Sequence, residues 1–217
     1  MSHDNQHLVG TEGPDVLYGT GTGNHIEGLG GDDYIFGGPG QGTGAAFDFL
    51  DGGAGNDQIN GGDGPDYAYG GDGDDVIVTG AGADQINGGL DADYMDAGSE
   101  DDNLYDGGGA DDDVLYGRSG ADRLEATGGD DFLNGGEGRD ILIGGDGADR
   151  FHFAAGEGDG DLVFADDADI FTLSGYGEGR TVFYGDNTHL VVYDGTGNLD
   201  IIEVRGVMPS LTEVYFI

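Results

Sequence analysis

A period of nine residues runs through about two thirds of this 217-residue chain and limits what it can fold into. Starting at Gly10, fifteen consecutive units end at His152, and thirteen of them are nine residues long. The unit at 37–51 carries six extra residues, GTGAAF at 42–47, and the unit at 106–116 carries two. The sixth place reads Asp15, Asn24, Asp33, Asp48, Asp57, Asp66, Asp75, Asp84, Asp93, Asp102, Asp113, Asp122, Asp131, Asp140 and Asp149. The eighth reads Leu17, Ile26, Ile35, Leu50, Ile59, Ala68, Ile77, Ile86, Met95, Leu104, Leu115, Leu124, Leu133, Leu142 and Phe151, apolar throughout. Glycine holds the fourth place in most units, with Thr22, Asp91 and Glu100 the clear departures.

Each column has a physical meaning. Gly-Gly-x-Gly-x-Asp reads as a turn, because glycine tolerates the positive φ that lets carbonyls converge on one point. The next three residues read as a minimal strand whose middle side chain points opposite to its neighbours. A single apolar residue per unit cannot be buried by that unit alone, so the units must coil and stack.

The totals raise a problem that the period does not solve. Forty-five acidic residues face six basic ones, for a formal charge of −39, and 50 residues are glycine. Glycine raises the entropic cost of folding, and crowded carboxylates repel. A chain so charged belongs with disordered proteins unless something offsets the charge. The 36% of hydrophobic residues recur at regular intervals, which argues for a conditional fold. The charge excludes nucleic acid and anionic membranes as direct partners, since both call for basic patches. Cysteine is absent, so neither disulfides nor thiolate metal sites are available. The opening MSHDNQHLVG has no basic and apolar signal pattern, so no Sec-type export is expected. No apolar run approaches the length of a membrane span, and no membrane insertion is expected.

Five units, GGAGND, GGDGPD, GGDGDD, GGEGRD and GGDGAD, match G-G-x-G-x-D without departure. The repeat resembles the RTX (repeats-in-toxin) nonapeptide family, G-G-x-G-x-D-x-U-x with U a large apolar residue. The resemblance covers residues 10–152. It implies an all-β fold, a right-handed parallel β-roll with two nonapeptides per coil, so that fifteen units make about seven and a half coils. It also implies Ca²⁺ between units i and i+2, held by the fifteen sixth-place residues. Backbone carbonyls of the turns would complete each site: Gly52, Ala54 and Gly55; Gly61, Asp63 and Gly64; Gly70, Asp72 and Gly73; Gly135, Glu137 and Gly138; Gly144, Asp146 and Gly147. Such all-oxygen sites suit calcium, a hard cation. Between six and thirteen ions are expected, nearer eight or nine, and thirteen would lower the charge from −39 to −13.

The ends differ in texture. Residues 1–9 form a short lead-in. The segment 153–217 contains DLVF, DIFTL, RTVFY, THLVVYD and LDIIEV, read as strands with turn signals between them. It resembles the antiparallel β cap that follows RTX repeats in type I-secreted proteins, and the tail EVYFI resembles their secretion signal. The implied setting is extracellular, reached unfolded through a type I exporter, with calcium scarce inside the cell and abundant outside.

No enzyme is expected. The five histidines, His3, His7, His25, His152 and His189, form no H-E-x-x-H, and no G-x-S-x-G is present. His3 and His7 are four apart in a frayed terminus. Outward places seven and nine carry many aromatic and β-branched residues, among them Tyr18, Tyr34, Phe49, Tyr67, Tyr69, Tyr94, Tyr105 and Tyr116. Such a face suits a second role as a calcium-dependent adhesin or surface-assembly protein, through self-association or a glycan ligand. Ice binding would need ranks of threonine and asparagine, and GTGN at 21–24 stands alone.

Overall fold

The computed structural model describes residues 6–20, 23–38, 47–157, 160–166, 168–175, 181–184, 189–193, 199–206 and 214–216. Most of the insertion GTGAAF, His3, and Glu213 and Ile217 of the tail lie outside the described residues. Among those described, twenty-two strands follow in chain order. They begin with β1 (Gln6–Val9), β2 (Val16–Tyr18), β3 (Asn24–Gly30), β4 (Tyr34–Gly38), β5 (Phe49–Ala54) and β6 (Gln58–Asp63). Next come β7 (Tyr67–Asp72), β8 (Val76–Ala81), β9 (Gln85–Leu90), β10 (Tyr94–Ser99), β11 (Asn103–Tyr105) and β12 (Val114–Gly120). Then follow β13 (Arg123–Glu125), β14 (Phe132–Gly138), β15 (Ile141–Ile143), β16 (Arg150–Ala154), β17 (Leu162–Ala165) and β18 (Ile170–Ser174). The last are β19 (Thr181–Tyr184), β20 (His189–Tyr193), β21 (Leu199–Gly206) and β22 (Val214–Phe216).

Odd and even strands separate into two sheets. One has the order β1-β3-β5-β7-β9-β11-β13-β15-β17-β21-β20-β19 and the other β2-β4-β6-β8-β10-β12-β14-β16-β18-β22. Each unit thus contributes one strand and pairs in parallel with the unit two places away, as a two-strand coil requires. This is the all-β parallel β-roll that the repeat implies. Antiparallel pairing enters only at β19, β20 and β21 among the described residues. No helix there is long and apolar enough to cross a membrane.

Two features extend the sequence reading. Most of the strands are longer than three residues, β2, β11, β13, β15 and β22 being the exceptions: β6 runs through places seven to nine and the first three residues of the next unit. The turn is therefore confined to places four to six. The parallel ladders also continue beyond the glycine-rich units, with β17 on β15, β18 on β16, and β21 and β22 after them.

Period-two alternation places residues six, eight and one inside. In β6 and β7 the pattern is exposed, buried, exposed, buried along QING and YAYG. The eighth-place residues from Ile26 to Phe151 form one buried file, at most 4% exposed, extended by Val163 and Phe171. Ile26, Leu50, Ala68, Ile86, Leu104, Leu124, Leu142 and Val163 stack in register in the first sheet. Towards the carboxyl end Phe153 and Leu173 take the first place, where repeats have mostly glycine, and Phe151, Phe153 and Phe171 pack there at 5.4–6.1 Å.

Glycine at the second place has a steric cause. Gly71 has φ +123°, and a Cβ there would collide with the Gly53 carbonyl of the preceding coil. Leu29 holds the same place with φ +79°, a conformation that L side chains adopt at a cost. Leu29→Gly is expected to raise stability by about 0.5–1 kcal/mol. Gly71→Ala is expected to lower it by about 2–4 kcal/mol. Denaturant unfolding of both variants checks the pair.

Candidate metal centre

The sixth-place carboxylates lie at the mouth of the turn, pointing inward beside the apolar file. Thirteen of the fourteen predicted aspartates are buried, Asp15 being the exception. In each, one oxygen completes a backbone ladder between coils. Asp57 Oδ1 accepts the Asp33 N–H at 2.7 Å, Asp75 Oδ1 accepts that of Asp57 at 2.7 Å, and Asp93 Oδ1 that of Asp75 at 2.9 Å. On the opposite edge Asp66, Asp84 and Asp102 accept from Asp48, Asp66 and Asp84 at 2.7–2.9 Å. The ladder continues through Asp113, Asp122, Asp131, Asp140 and Asp149.

The second oxygen has no such donor. Oδ2 of Asp33, Asp57, Asp66, Asp75, Asp84, Asp93, Asp102, Asp122, Asp131, Asp140 and Asp149 is buried without a hydrogen-bond partner. In eight of the eleven it faces the first-place glycine of its own unit, while Asp84, Asp102 and Asp131 have Thr79, Ala97 and Ala126 there; at six of those glycines a carbonyl from the next coil faces the same spot. A Cβ on Gly52 would meet Asp57 Oδ2 and the Gly70 carbonyl; one on Gly70 would meet Asp75 Oδ2 and the Gly88 carbonyl. The same convergence recurs at Gly28 with Asp33 and Gly52, and at Gly117 with Asp122 and Gly135. Glycine leaves a cradle in which two acceptors meet with no hydrogen between them. A buried ion without compensation costs several kcal/mol, so eleven of them would exceed the usual stability of a whole domain. The geometry calls for a cation, or a proton, at each cradle.

The donor set fits a hard divalent cation: carboxylate and carbonyl oxygens, with no nitrogen or sulfur. First-place carbonyls of Gly52, Gly61, Gly70 and Gly135 reach these cradles. Third-place carbonyls of Ala54, Asp72 and Asp146 already accept N–H bonds from Gly31, Gly55 and Gly129, which leaves one lone pair each.

Two predicted ligands have protein partners instead. Asp15 Oδ2 accepts the Thr11 N–H at 2.6 Å and its hydroxyl at 2.8 Å. Asn24 Nδ2 donates to the Gly37 carbonyl and to Asp48 Oδ1, both at 2.9 Å. The amide hydrogen stands where the other units need an ion. Two residues that the repeat pattern missed join the columns. Asp161 Oδ1 accepts the Asp140 N–H at 2.9 Å, Asp169 Oδ1 that of Asp149 at 3.0 Å, and both are buried. Their D-x-U signature, Asp161-Leu-Val and Asp169-Ile-Phe, was in the sequence without the Gly-Gly-x-Gly spacing that precedes it elsewhere.

Burial lifts the carboxyls of Asp57, Asp84, Asp113 and Asp122 up to about 6. It lifts Asp66, Asp75, Asp131, Asp140 and Asp149 to about 7, and Asp93 and Asp102 to about 8. The amide bond on Oδ1 opposes the lift, and charged neighbours add to it. A folded pKa above the unfolded value means that the native chain binds more protons, so metal-free stability falls as pH rises from about 4 to 8. Circular dichroism of the metal-free chain should show β structure growing as pH drops through that window; structure that declines on acidification contradicts the assignment.

The comparisons with known proteins agree with this geometry. The profile of the RTX calcium-binding nonapeptide repeat, which spans four copies, matches residues 9–43, 43–68, 69–104, 108–133 and 125–159. No curated protein matches the chain. Among solved structures it is similar to the AlgE6R2 subunit of the Azotobacter vinelandii mannuronan C5-epimerase, at 26% identity and a TM-score of 0.35. That match covers 60% of this chain and 91% of that one. On the repeat profile, matched over more than half its length, the chain belongs to the RTX calcium-binding nonapeptide repeat family.

Proposed function

We propose that this calcium-binding repeat module is a calcium-triggered folding unit, exported unfolded by a type I apparatus and folded on meeting extracellular calcium. The observation that carries the reading is the set of eleven buried Oδ2 atoms without donors, eight of them aimed at a first-place glycine. The ions sit between units i and i+2. They bridge Asp33, Asp57, Asp75, Asp93, Asp113, Asp131 and Asp149 on one edge and Asp48, Asp66, Asp84, Asp102, Asp122 and Asp140 on the other. Of the six to thirteen ions that the repeats imply, these two series offer eleven positions, six on one edge and five on the other. Asp15, whose Oδ2 is held by Thr11, and Asn24, whose Nδ2 donates to the Gly37 carbonyl while its Oδ1 is buried without a partner, precede these aspartates in the two columns.

The role is conditional by design. Without calcium the carboxylates repel and cannot be buried, so the chain stays expanded and passes through an exporter. With calcium, binding free energy becomes folding free energy. The segment 153–217 serves as cap and export-signal region, and its tail strand β22 pairs with β18 at the end of the second sheet. A second reading, a surface adhesin, rests on the exposed face. Phe49, Tyr67, Tyr69 and Tyr105 are each 38–42% exposed and line one shallow depression with Gln85, Asn87 and Asn103. Glycan-array binding in calcium tests that reading.

Two measurements test the first. Circular dichroism should show a disordered chain at neutral pH after exhaustive chelation and a β-rich one in millimolar calcium; a β spectrum that survives chelation sinks it. Asp57→Asn, which copies the Asn24 solution, should have opposite effects in the two states. It should stabilise the metal-free chain by about 1 kcal/mol through an added hydrogen bond and a lost buried charge. It should destabilise the calcium-loaded chain. Equal destabilisation in both states would show that the carboxylate holds no ion.

A further inference from the structure

One cluster of titratable groups lies outside the calcium columns. His7 on β1 is in register with His25 on β3, and Val9 with Glu27. These side chains point outward, while Asn24 and Ile26 beside them point into the roll. His7 Nε2 lies 3.2 Å and His25 Nε2 2.9 Å from the same atom, Glu27 Oε1. The two imidazoles stack with centroids 4.6 Å apart and planes 28° from parallel. The ring of Phe49, next in the same file, supports His25 edge-on at 4.8 Å.

We propose that His7, His25 and Glu27 form a site for a borderline divalent metal of the Zn²⁺ class, distinct from the calcium cradles. The three ligand atoms lie within 4.8 Å of one another. In a tetrahedral site with bonds of about 2.0–2.1 Å, ligand atoms stand roughly 3.3 Å apart. Both nitrogen–oxygen separations are close to that edge, and a small ring rotation closes the third. Two imidazoles and one carboxylate select such an ion over calcium, which takes oxygen ligands. The side chains are half-exposed or nearly so, with His7 58%, His25 49% and Glu27 31% accessible, which leaves room for water as a fourth ligand. Asp51 follows Glu27 in register on β5 and supplies a further carboxylate on the same face.

The site has a structural consequence. Strand β1 stands at the end of its sheet and pairs with β3 alone. Its apolar anchor, Leu8, is only partly buried against the core. A metal shared by β1 and β3 would clip the lead-in to the first coil, where Gln6 and Asn24 offer no carboxylate to a calcium ion. Zn²⁺ would thus close the amino-terminal end of a roll whose middle is closed by calcium.

The test uses the full chain in saturating calcium, so that the cradles are occupied, titrated with Zn²⁺ and followed by NMR of the histidine rings. A stoichiometric equivalent should shift the His7 and His25 signals together and leave His152 and His189 in place. Co²⁺ in place of Zn²⁺ should develop visible absorption of a nitrogen-ligated ion. His25→Ala and Glu27→Gln should each weaken binding at least about tenfold, while the calcium-induced β spectrum is retained. Histidine signals that stay fixed, or that all move alike, would overturn the proposal, as would variants that bind Zn²⁺ like the parent.

Discussion

The structure depends on an asymmetry within one side chain. Each sixth-place carboxylate uses Oδ1 to accept the backbone N–H of its counterpart one coil earlier, which ties coil to coil. Oδ2 faces a carbonyl across a space with no hydrogen in it. The other features follow from that opposition. Glycine holds the first place where a Cβ would fill the cradle, as at Gly52 and Gly70, while Thr79, Ala97 and Ala126 hold it in the units of Asp84, Asp102 and Asp131. The eighth place must be apolar because it shares the narrow interior with the carboxylate. The nine-residue period is the length that returns an aspartate to each edge of the roll once per coil. Burying so many carboxylates is unfavourable by itself, so the same geometry that organises the coils calls for a cation or a proton beside each of them.

The column ends show the rule by contrast. On one edge the series runs from Gln6 and Asn24 through six aspartates at Asp48 to Asp140, then Asp161, and stops where Ile202 is buried in the next sixth-place position. Gln6 Oε1 accepts the Thr20 N–H at 3.1 Å and its hydroxyl at 3.0 Å. The other edge begins at Asp15, whose Oδ2 is capped by Thr11. Gln6 and Asp15 stand at the ends of the two sheets, with a neighbouring coil on one side only, whereas Asn24 and Ile202 have a strand on each side. There the chain uses amides, a threonine and an isoleucine, which need no ion.

Much of this was legible beforehand, because stacking in a solenoid is a nearest-neighbour problem and the repeat states its solution in every unit. Coiling, stacking and the inward eighth place follow from the period; two strands per coil came from the resemblance to the RTX repeat, and the burial of Asp33 to Asp149 from the structure. Asp161 and Asp169 escaped because the repeat was traced by its glycines, and those units place Phe153 and Ala165 at the first position. Strand length escaped for a related reason. Gly-Gly suggests a turn, yet in β6 and β7 it continues the ladder, with positive φ tolerated at Gly62 and Gly71. Place three of the unit, read as a turn ligand, belongs to the strand and has its carbonyl bonded across coils at Ala54 and Asp72.

The sequence by itself determined the architecture and the chemistry: a period of nine, one carboxylate and one apolar side chain inward per unit, and glycines in the turn. These are local choices repeated in phase, and repetition makes local choices readable. Only the tertiary structure decided which carboxylate oxygen has a donor, that Asn24 replaces an ion with an amide hydrogen, and that His7 and His25 converge on Glu27. Those outcomes depend on distances of a few ångströms between residues 13 to 20 apart in the chain. Such distances are set by the register between coils, and no single unit contains them.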